Sequence, residues 1–483
     1  MKKWFYQAPE ESKRRSLALV LIIKTPLFLL FAFFFHSYWP SDRNLNFFFN
    51  VSGDTAGYYE PCEQFYLGHG YTSVCRMPGL LPIYFFIRLL VSAVWTKTAI
   101  IFLQFIADVI ATFLLASIAY MLSNKAIAYW LVLMGYSLSY FVAVWNHVGY
   151  SDSFAVAMLV YAFYFALRYK QKMQLHLVFW SGFFMTWSVF FRPVHLLALP
   201  VFVLFFVRLQ PSILQWSKQL LLFLASLLIC LSIWTVYNYN KTGRMIVLQD
   251  NTSACSSSIT PEMLAIRELI IAWGEDIQPW AKGAAAEWFF SKNKMANQDT
   301  EPLSEFLTSE CTADSLLALK YNYQQYRAAD SSDSLRQMHA GLVLMQSARF
   351  LDDYRKAHPF KAYFLNKIKL CARFIWPSRL DNLPLPSLEK MSFVQKVIKS
   401  GYFLLLLLVS TLGSLGCFYF LFKKQIWTLL PLLFVILLPG YFGYIEQRYF
   451  APVYPFFMVF AVMASLGLIG GIKRRQSKIG VIA

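Results

Sequence analysis

"LLPIYFFIRLLVSAVW", Leu80 to Trp95, is the stretch on which the topology turns. It is apolar enough for a bilayer, but it is shorter than the roughly 20 residues a spanning helix needs, and Arg88 sits in its middle. Around it the chain reads as membrane. Of 483 residues, 58% are hydrophobic and only 14% are charged, and apolar runs recur from Leu17 to Gly471. No soluble domain of this size has that pattern. The first run, from Leu17, is flanked by Lys13, Arg14 and Arg15, but it is long and lacks a small-residue cleavage site, so it reads as a retained helix.

Of the net charge of +18, +15 is placed at the ends of the apolar runs. Lys2, Lys3, Lys13 to Arg15, Lys125, Arg168, Lys170, Lys172, Arg208, Lys218, Lys423, Lys424, Lys473 to Arg475 and Lys478 share their segments with only Glu10 and Glu11. That is the positive-inside bias of cytoplasmic loops. A nucleic-acid partner is set aside, because its electrostatic footprint clusters on one soluble face.

Ten spans are expected: Leu17 to Phe35, Ala99 to Leu122, Ile127 to Trp145, Ser153 to Leu167, Leu177 to Phe191, Val194 to Val207, Leu220 to Val236, Tyr402 to Phe422, Ile426 to Tyr444 and Phe450 to Ile469. Threaded from a cytoplasmic N-terminus, they put every basic cluster and both termini inside. Were Leu80 to Trp95 also to cross, every later loop would invert. It is therefore expected as an interfacial or re-entrant helix within one structured first outer loop, about Ser37 to Lys97.

A second outer segment is expected between residues 241 and 397, which hold 17 of the 26 acidic residues and 19 basic ones, a balance suited to water. Thr260-Pro261-Glu262 reads as a helix start, Thr312 to Ala329 and Ser332 to His358 as helices, and "FKAYFLNKIKLCARFIW" as a basic amphipathic helix suited to a membrane surface. The expected fold is thus an all-α polytopic membrane protein with a transmembrane module at 1–240, whose loop 37–97 carries the chemistry, an extracytoplasmic segment at 241–397 and a second transmembrane module at 398–483. There is no internal repeat, no Walker or dinucleotide glycine motif and no zinc-like Cys/His spacing. Cys62 and Cys75 both fall in the outer loop, where a disulfide between them is one of two open readings; pairing among Cys255, Cys311 and Cys371 is undetermined. Asn50, Asn240 and Asn251 head sequons that matter only in a eukaryotic lumen.

Among loop residues, Asp54 stands out, just beyond the first helix. A single ionised carboxylate there suits a general base toward an acceptor hydroxyl; the competing reading is an Asx-turn residue. Arg76 in "CRMPG", Arg192 in "FFRPVH" and Arg448 in "EQRYFAPVYP" each lie at an expected outer helix end beside proline. Guanidinium forks suit a phosphate, whereas snorkelling or pairing with Glu446 is the plainer use. Asp152, Glu60 and Glu446 are candidate second carboxylates, with helix capping the alternative for Asp152. Within the membrane, Lys24 and Asp108 are the costly groups, either a coupling site for a secondary transporter or a structural pair.

The ordered pieces "GDTAGYY", "YLGHGYTSVCRMPGLLPIYFFI", "GYSDSFAVAML", "FFRPVHLLALP", "WTVYNYNKTGR" and "EQRYFAPVYPFFMVFAVM" resemble the polyprenyl-phosphate-sugar-dependent glycosyltransferases of the GT-C superfamily, which include protein O-mannosyltransferases and lipid A aminoarabinose transferases. The likeness covers Leu17 to Gly243 and Tyr402 to Gly471. It implies sugar transfer from a lipid phosphate carrier to a hydroxyl acceptor on the outer side of the plasma (inner) membrane, with Asp54 central. It also implies a polyprenyl-phosphate sugar and membrane lipids as partners, and inversion at the anomeric carbon. No cofactor is called for, and a divalent metal stays compatible with the reading. Two departures stand out: Asp54 is followed by Thr55 where protein mannosyltransferases carry an Asp-Glu pair, and Asp152 stands where many relatives have glutamate. A non-catalytic scaffold built on 241–397 is the remaining alternative.

Overall fold

The computed structural model describes residues 13–38, 47–49, 54–73, 75–149, 151–209, 212–249, 260–277, 284–290, 301–328, 332–376, 391–443 and 445–479. Its elements are helices, with no strand among the described residues. The sequons at Asn50 and Asn251, Gly53 and Cys255 lie outside them.

Among the described residues, four helices are long and apolar enough to cross a bilayer: α1 (Lys13–Tyr38) through its stretch Arg14–Phe34, α4 (Ala93–Ser123), α9 (Ile213–Thr242) and α14 (Phe393–Phe422). Ala126–Leu138 with Phe141–His147 makes a fifth if that bent pair is one span. The remaining expected spans fall on helices too: Ser153 to Leu167 lies on the 21-residue Asp152–Lys172, which is not among the four, and the others lie on shorter apolar helices such as Leu175–Phe191 and Tyr454–Leu468. By length and composition, four or five of the described helices could thus span a membrane, and ten are not shown.

The deciding stretch is not one element. α2 (Thr55–Tyr66) precedes a 3-10 turn at Pro78–Leu80, α3 runs Leu81–Leu90, the backbone breaks at Val91, and Trp95 already belongs to α4. Ten residues of α-helix rise about 15 Å, half a hydrocarbon core. Arg88 is partnered by Glu63 of α2 at 3.3 Å, and Tyr84 donates to the same carboxylate at 2.6 Å. The charge in the middle of this apolar run thus belongs to a local network.

By internal contacts the chain divides into two units, one of 1–250, 379–434 and 451–483, the other of 251–378 and 435–450. In the first, α5 (Ala126–Leu138), α6 (Asp152–Lys172) and α7 (Leu175–Phe191) follow α4, and α8 (Leu199–Leu209) leads to α9. α4 packs on α5 and α6, and α6 on α7. Lys24 of α1 and Asp108 of α4 form a buried ion pair at 2.6 Å, 3% and 2% exposed. Asn146 also donates to that carboxylate at 3.4 Å, and Ser153 in the first turn of α6 donates to Asn146.

The second unit builds its own core around Trp273 at the end of α10 (Pro261–Trp273), stacked on Phe306 at 4.8 Å. Thr260 accepts from the Met263 backbone N–H, Thr312 opens α11 (Ala313–Arg327) by accepting from Ser315, and Ser332 opens α12 (Asp333–Ala357) by accepting from Leu335. These are the cap residues the sequence predicts for these starts. The basic stretch after Pro359 begins as a π-turn over Lys361–Leu365 and continues as α13 (Asn366–Ile375). Asn366 donates to the Ala272 carbonyl at 2.6 Å, while Phe360, Tyr363, Phe364 and Ile368 stay exposed. Glu275 is clamped by Lys369 at 2.8 Å and Arg373 at 3.0 Å. Along the chain α14, α15 (Leu429–Phe442) and α16 (Tyr454–Ile479) follow, with α14 and α16 in the first unit and residues 435–442 of α15 in the second.

Candidate functional site

Asp54 occupies the N-cap position of α2, yet its side chain caps no backbone N–H. It pairs instead with Arg76 at 3.2 Å, the two side chains 32% and 25% exposed. Arg76 also lies over the ring of Tyr58, 4.8 Å from its centroid, and Arg192 lies over the same ring at 5.6 Å. Arg192 is itself in a buried ion pair with Asp152, both side chains 7% exposed. Ser151, not Asp152, sits at the cap position of α6. Four charged residues singled out from four separated stretches thus form two ion pairs whose arginines share one aromatic ring. An arginine over a ring face gains cation–π attraction, most where water is excluded, and Tyr58 is 3% exposed.

Two glycines explain why these stretches meet. A Cβ on Gly79 would stand 2.5 Å from the Phe190 carbonyl carbon and 2.6 Å from the Phe191 nitrogen, so only glycine lets "CRMPG" lie against the end of α7. Trp187 donates to the Gly79 carbonyl at 3.0 Å and fixes that contact one step before Arg192. A Cβ on Gly149 would stand 2.6 Å from the Thr55 side chain, which brings the start of α6 against the residue after Asp54. From the other side Tyr71 donates to the Arg76 carbonyl at 3.0 Å, while Tyr237 and Lys241, near the end of α9, both donate to the Tyr71 carbonyl. The "WTVYNYNKTGR" motif is thereby tied to the first loop.

The other expected residues are not part of these contacts. Glu60 is exposed on α2 and enters no ion pair among the described residues. Arg448 belongs to the second unit, where it pairs with Glu446 at 3.1 Å, the plainer of the two uses weighed for it. Lys24 and Asp108 satisfy one another, as a structural pair would. Cys62 is a free, buried thiol and Cys75 is disulfide-bonded, so the pairing of these two with each other is not the one formed. Burial pushes the Cys62 thiol up, which leaves it protonated and inert.

Among the described residues no group of three or more His, Cys, Asp or Glu is placed to hold a metal ion. Tyr58, Gly79, Gly149 and Trp187 are what sequence reasoning missed. The glycines of "CRMPG" and "HVGYSDS" were the available signal, since glycine beside a charged motif marks close backbone approach. Chemically, the cluster offers a half-exposed carboxylate with a guanidinium beside it and a second, buried guanidinium behind a ring. An anion reaching Arg76 competes with a partly solvated pair worth at most about 1 kcal/mol, so it can take the arginine and leave Asp54 available. No family model matches the chain, and neither a curated protein nor a solved structure matches it.

Proposed function

We propose that the chain is an integral membrane glycosyltransferase that moves a sugar from a polyprenyl-phosphate donor to a hydroxyl acceptor on the extracytoplasmic side. The observation that supports it is the meeting of Asp54, Arg76, Asp152 and Arg192 around Tyr58. In this reading the donor phosphate engages Arg76 and displaces Asp54. The acceptor hydroxyl gives its proton to the Asp54 carboxylate as its oxygen bonds to the anomeric carbon. The bond from that carbon to the phosphate oxygen breaks, and the phosphate departs with the electron pair. The leaving group gains negative charge, which Arg76 and Arg192 are placed to stabilise, with Asp152 holding Arg192 in position. Ten spans, cytoplasmic termini, a plasma (inner) membrane location and an outward first loop belong to the same reading; the placement of the basic residues supports them.

A secondary transporter using Lys24 and Asp108 is the rival, and one experiment separates them. Protein reconstituted in liposomes is given polyprenyl-phosphate pentose and hexose donors radiolabelled in the sugar. Wild type should release or transfer the sugar, and Asp54→Asn should fall by about 10²-fold or more, the usual worth of a general base, with donor binding retained. Turnover unchanged in Asp54→Asn would remove the assignment.

A further inference from the structure

A cavity of about 240 Å³ opens where α8 ends and α14 turns into α15, walled by Leu204, Leu421, Ile426 and Leu429 and edged by Arg208 and Lys424. It is smaller than the roughly 300 Å³ at which drug-sized ligand pockets begin, so it suits a head group rather than a whole lipid. Every residue around it comes from 153–249 or 390–445, and those stretches contain no Asp or Glu. Neither cation enters an ion pair among the described residues. Among the described residues, two positive charges therefore face a mainly apolar hollow without a paired carboxylate. Leu204 is 48% exposed and Phe422 83% exposed, so the hollow continues onto apolar helix surface of the kind that meets acyl chains.

A soluble anion would use the two cations and gain nothing from the leucines. A lipid would use both. We propose that this cavity binds the phosphate of an anionic phospholipid, with Arg208 and Lys424 on the phosphate and the acyl chains along the exposed faces of α8 and α14. Basic pockets between spanning helices recognise anionic head groups in this way. The inference is independent of the glycosyltransferase reading.

The backbone supplies a clean variant. Lys424 has φ 58°, in the left-handed region, fixed by bonds from its N–H to the Leu421 carbonyl at 2.8 Å and from the Gln425 N–H to the Phe420 carbonyl at 3.0 Å. Asparagine tolerates that conformation better than most residues, so Lys424→Asn removes the charge and keeps the turn. Full-length protein in a mild nonionic detergent is titrated with dioleoylphosphatidylglycerol, dioleoylphosphatidylcholine or inorganic phosphate, and adducts are counted by native mass spectrometry. Phosphatidylglycerol should bind about ten-fold more tightly than phosphatidylcholine, the effect of one to two cations near a head group. Arg208→Gln with Lys424→Asn should erase that preference, whereas Arg208→Lys with Lys424→Arg should keep it. Melting temperatures without lipid confirm that each variant is folded; should the neutral pair fail to fold, the wild-type comparison decides. Equal binding of the two lipids, or a preference that survives in the neutral pair, would overturn the proposal. So would inorganic phosphate binding as tightly as phosphatidylglycerol, since the ligand would then be a free anion.

Discussion

Tyr58 carries two arginines on one ring, and its substitution reads the cluster more cleanly than loss of any charge in it. Arg192→Ala would strand Asp152 in a buried site at a cost of about 3–5 kcal/mol, enough to confuse unfolding with loss of activity. Tyr58→Leu removes the π face together with the hydroxyl, and Tyr58→Phe removes the hydroxyl alone. Two cation–π contacts of this kind are together worth about 1–2 kcal/mol, so donor KM should rise roughly 5- to 30-fold in Tyr58→Leu and stay within about two-fold in Tyr58→Phe. Steady-state kinetics on the two variants checks this; equal values for both would mean the ring face plays no part. Asp54, Arg76, Asp152 and Arg192 were legible because charge beside an apolar run is conspicuous. Tyr58 was not, since its neighbour Tyr59 is equally aromatic, and a single helical step of 100° decides which of them faces the arginines. Tyr59 packs edge-on against Phe49 and Tyr84 instead.

Elements bring those residues together, and the contact of the Pro78–Leu80 turn with α7 is a tight joint. Gly79→Ala forces a methyl into the Phe190–Phe191 backbone. Overpacking of that kind costs about 1–3 kcal/mol, so the variant should melt at lower temperature and lose donor turnover, whereas Gly401→Ala, in open space on α14, should keep turnover. In the second unit Glu275 makes a pH-dependent joint between α10 and α13. Burial pushes its carboxyl up, but hydrogen bonds and charge from Arg373 and Lys369 outweigh that and hold it below the usual value of 4.5. A carboxyl lowered on folding stabilises fully above its unfolded pKa, and the contribution is lost as pH falls through the lower folded one. Hydrogen exchange in α13, corrected for intrinsic rate, should therefore accelerate below about pH 4.5 in wild type. In Glu275→Gln it should already be fast at neutral pH and show little further change.

The helices themselves were readable because apolar runs and cap residues are local signals. The joint at Gly79 was not, because its partner lies more than a hundred residues away in sequence. The same separation defeats disulfide assignment: Cys62 and Cys75 are close in the chain, but the helical start of the loop turns Cys62 inward, where it donates to the Tyr58 carbonyl.

At the scale of the whole molecule, sidedness decides the account. The basic residues at the helix ends and the carboxylates of the first loop must lie on opposite faces, since a polyprenyl-phosphate sugar used outside can meet Asp54 only there. The buried Lys24 and Asp108 pair is neutral overall, which is how a bilayer tolerates it, and it leaves the charge of the first loop as the feature that composition alone does not require. His69 lies exposed in that loop, while Cys62 is buried and Cys75 is bonded, so His69→Cys adds a reporter to a quiet stretch of chain. Sealed right-side-out and inverted vesicles are treated with a membrane-impermeant maleimide, with the unsubstituted protein as background. Labelling above background only in right-side-out vesicles is the predicted result; labelling only in inverted vesicles would put the loop in the cytosol and contradict the account.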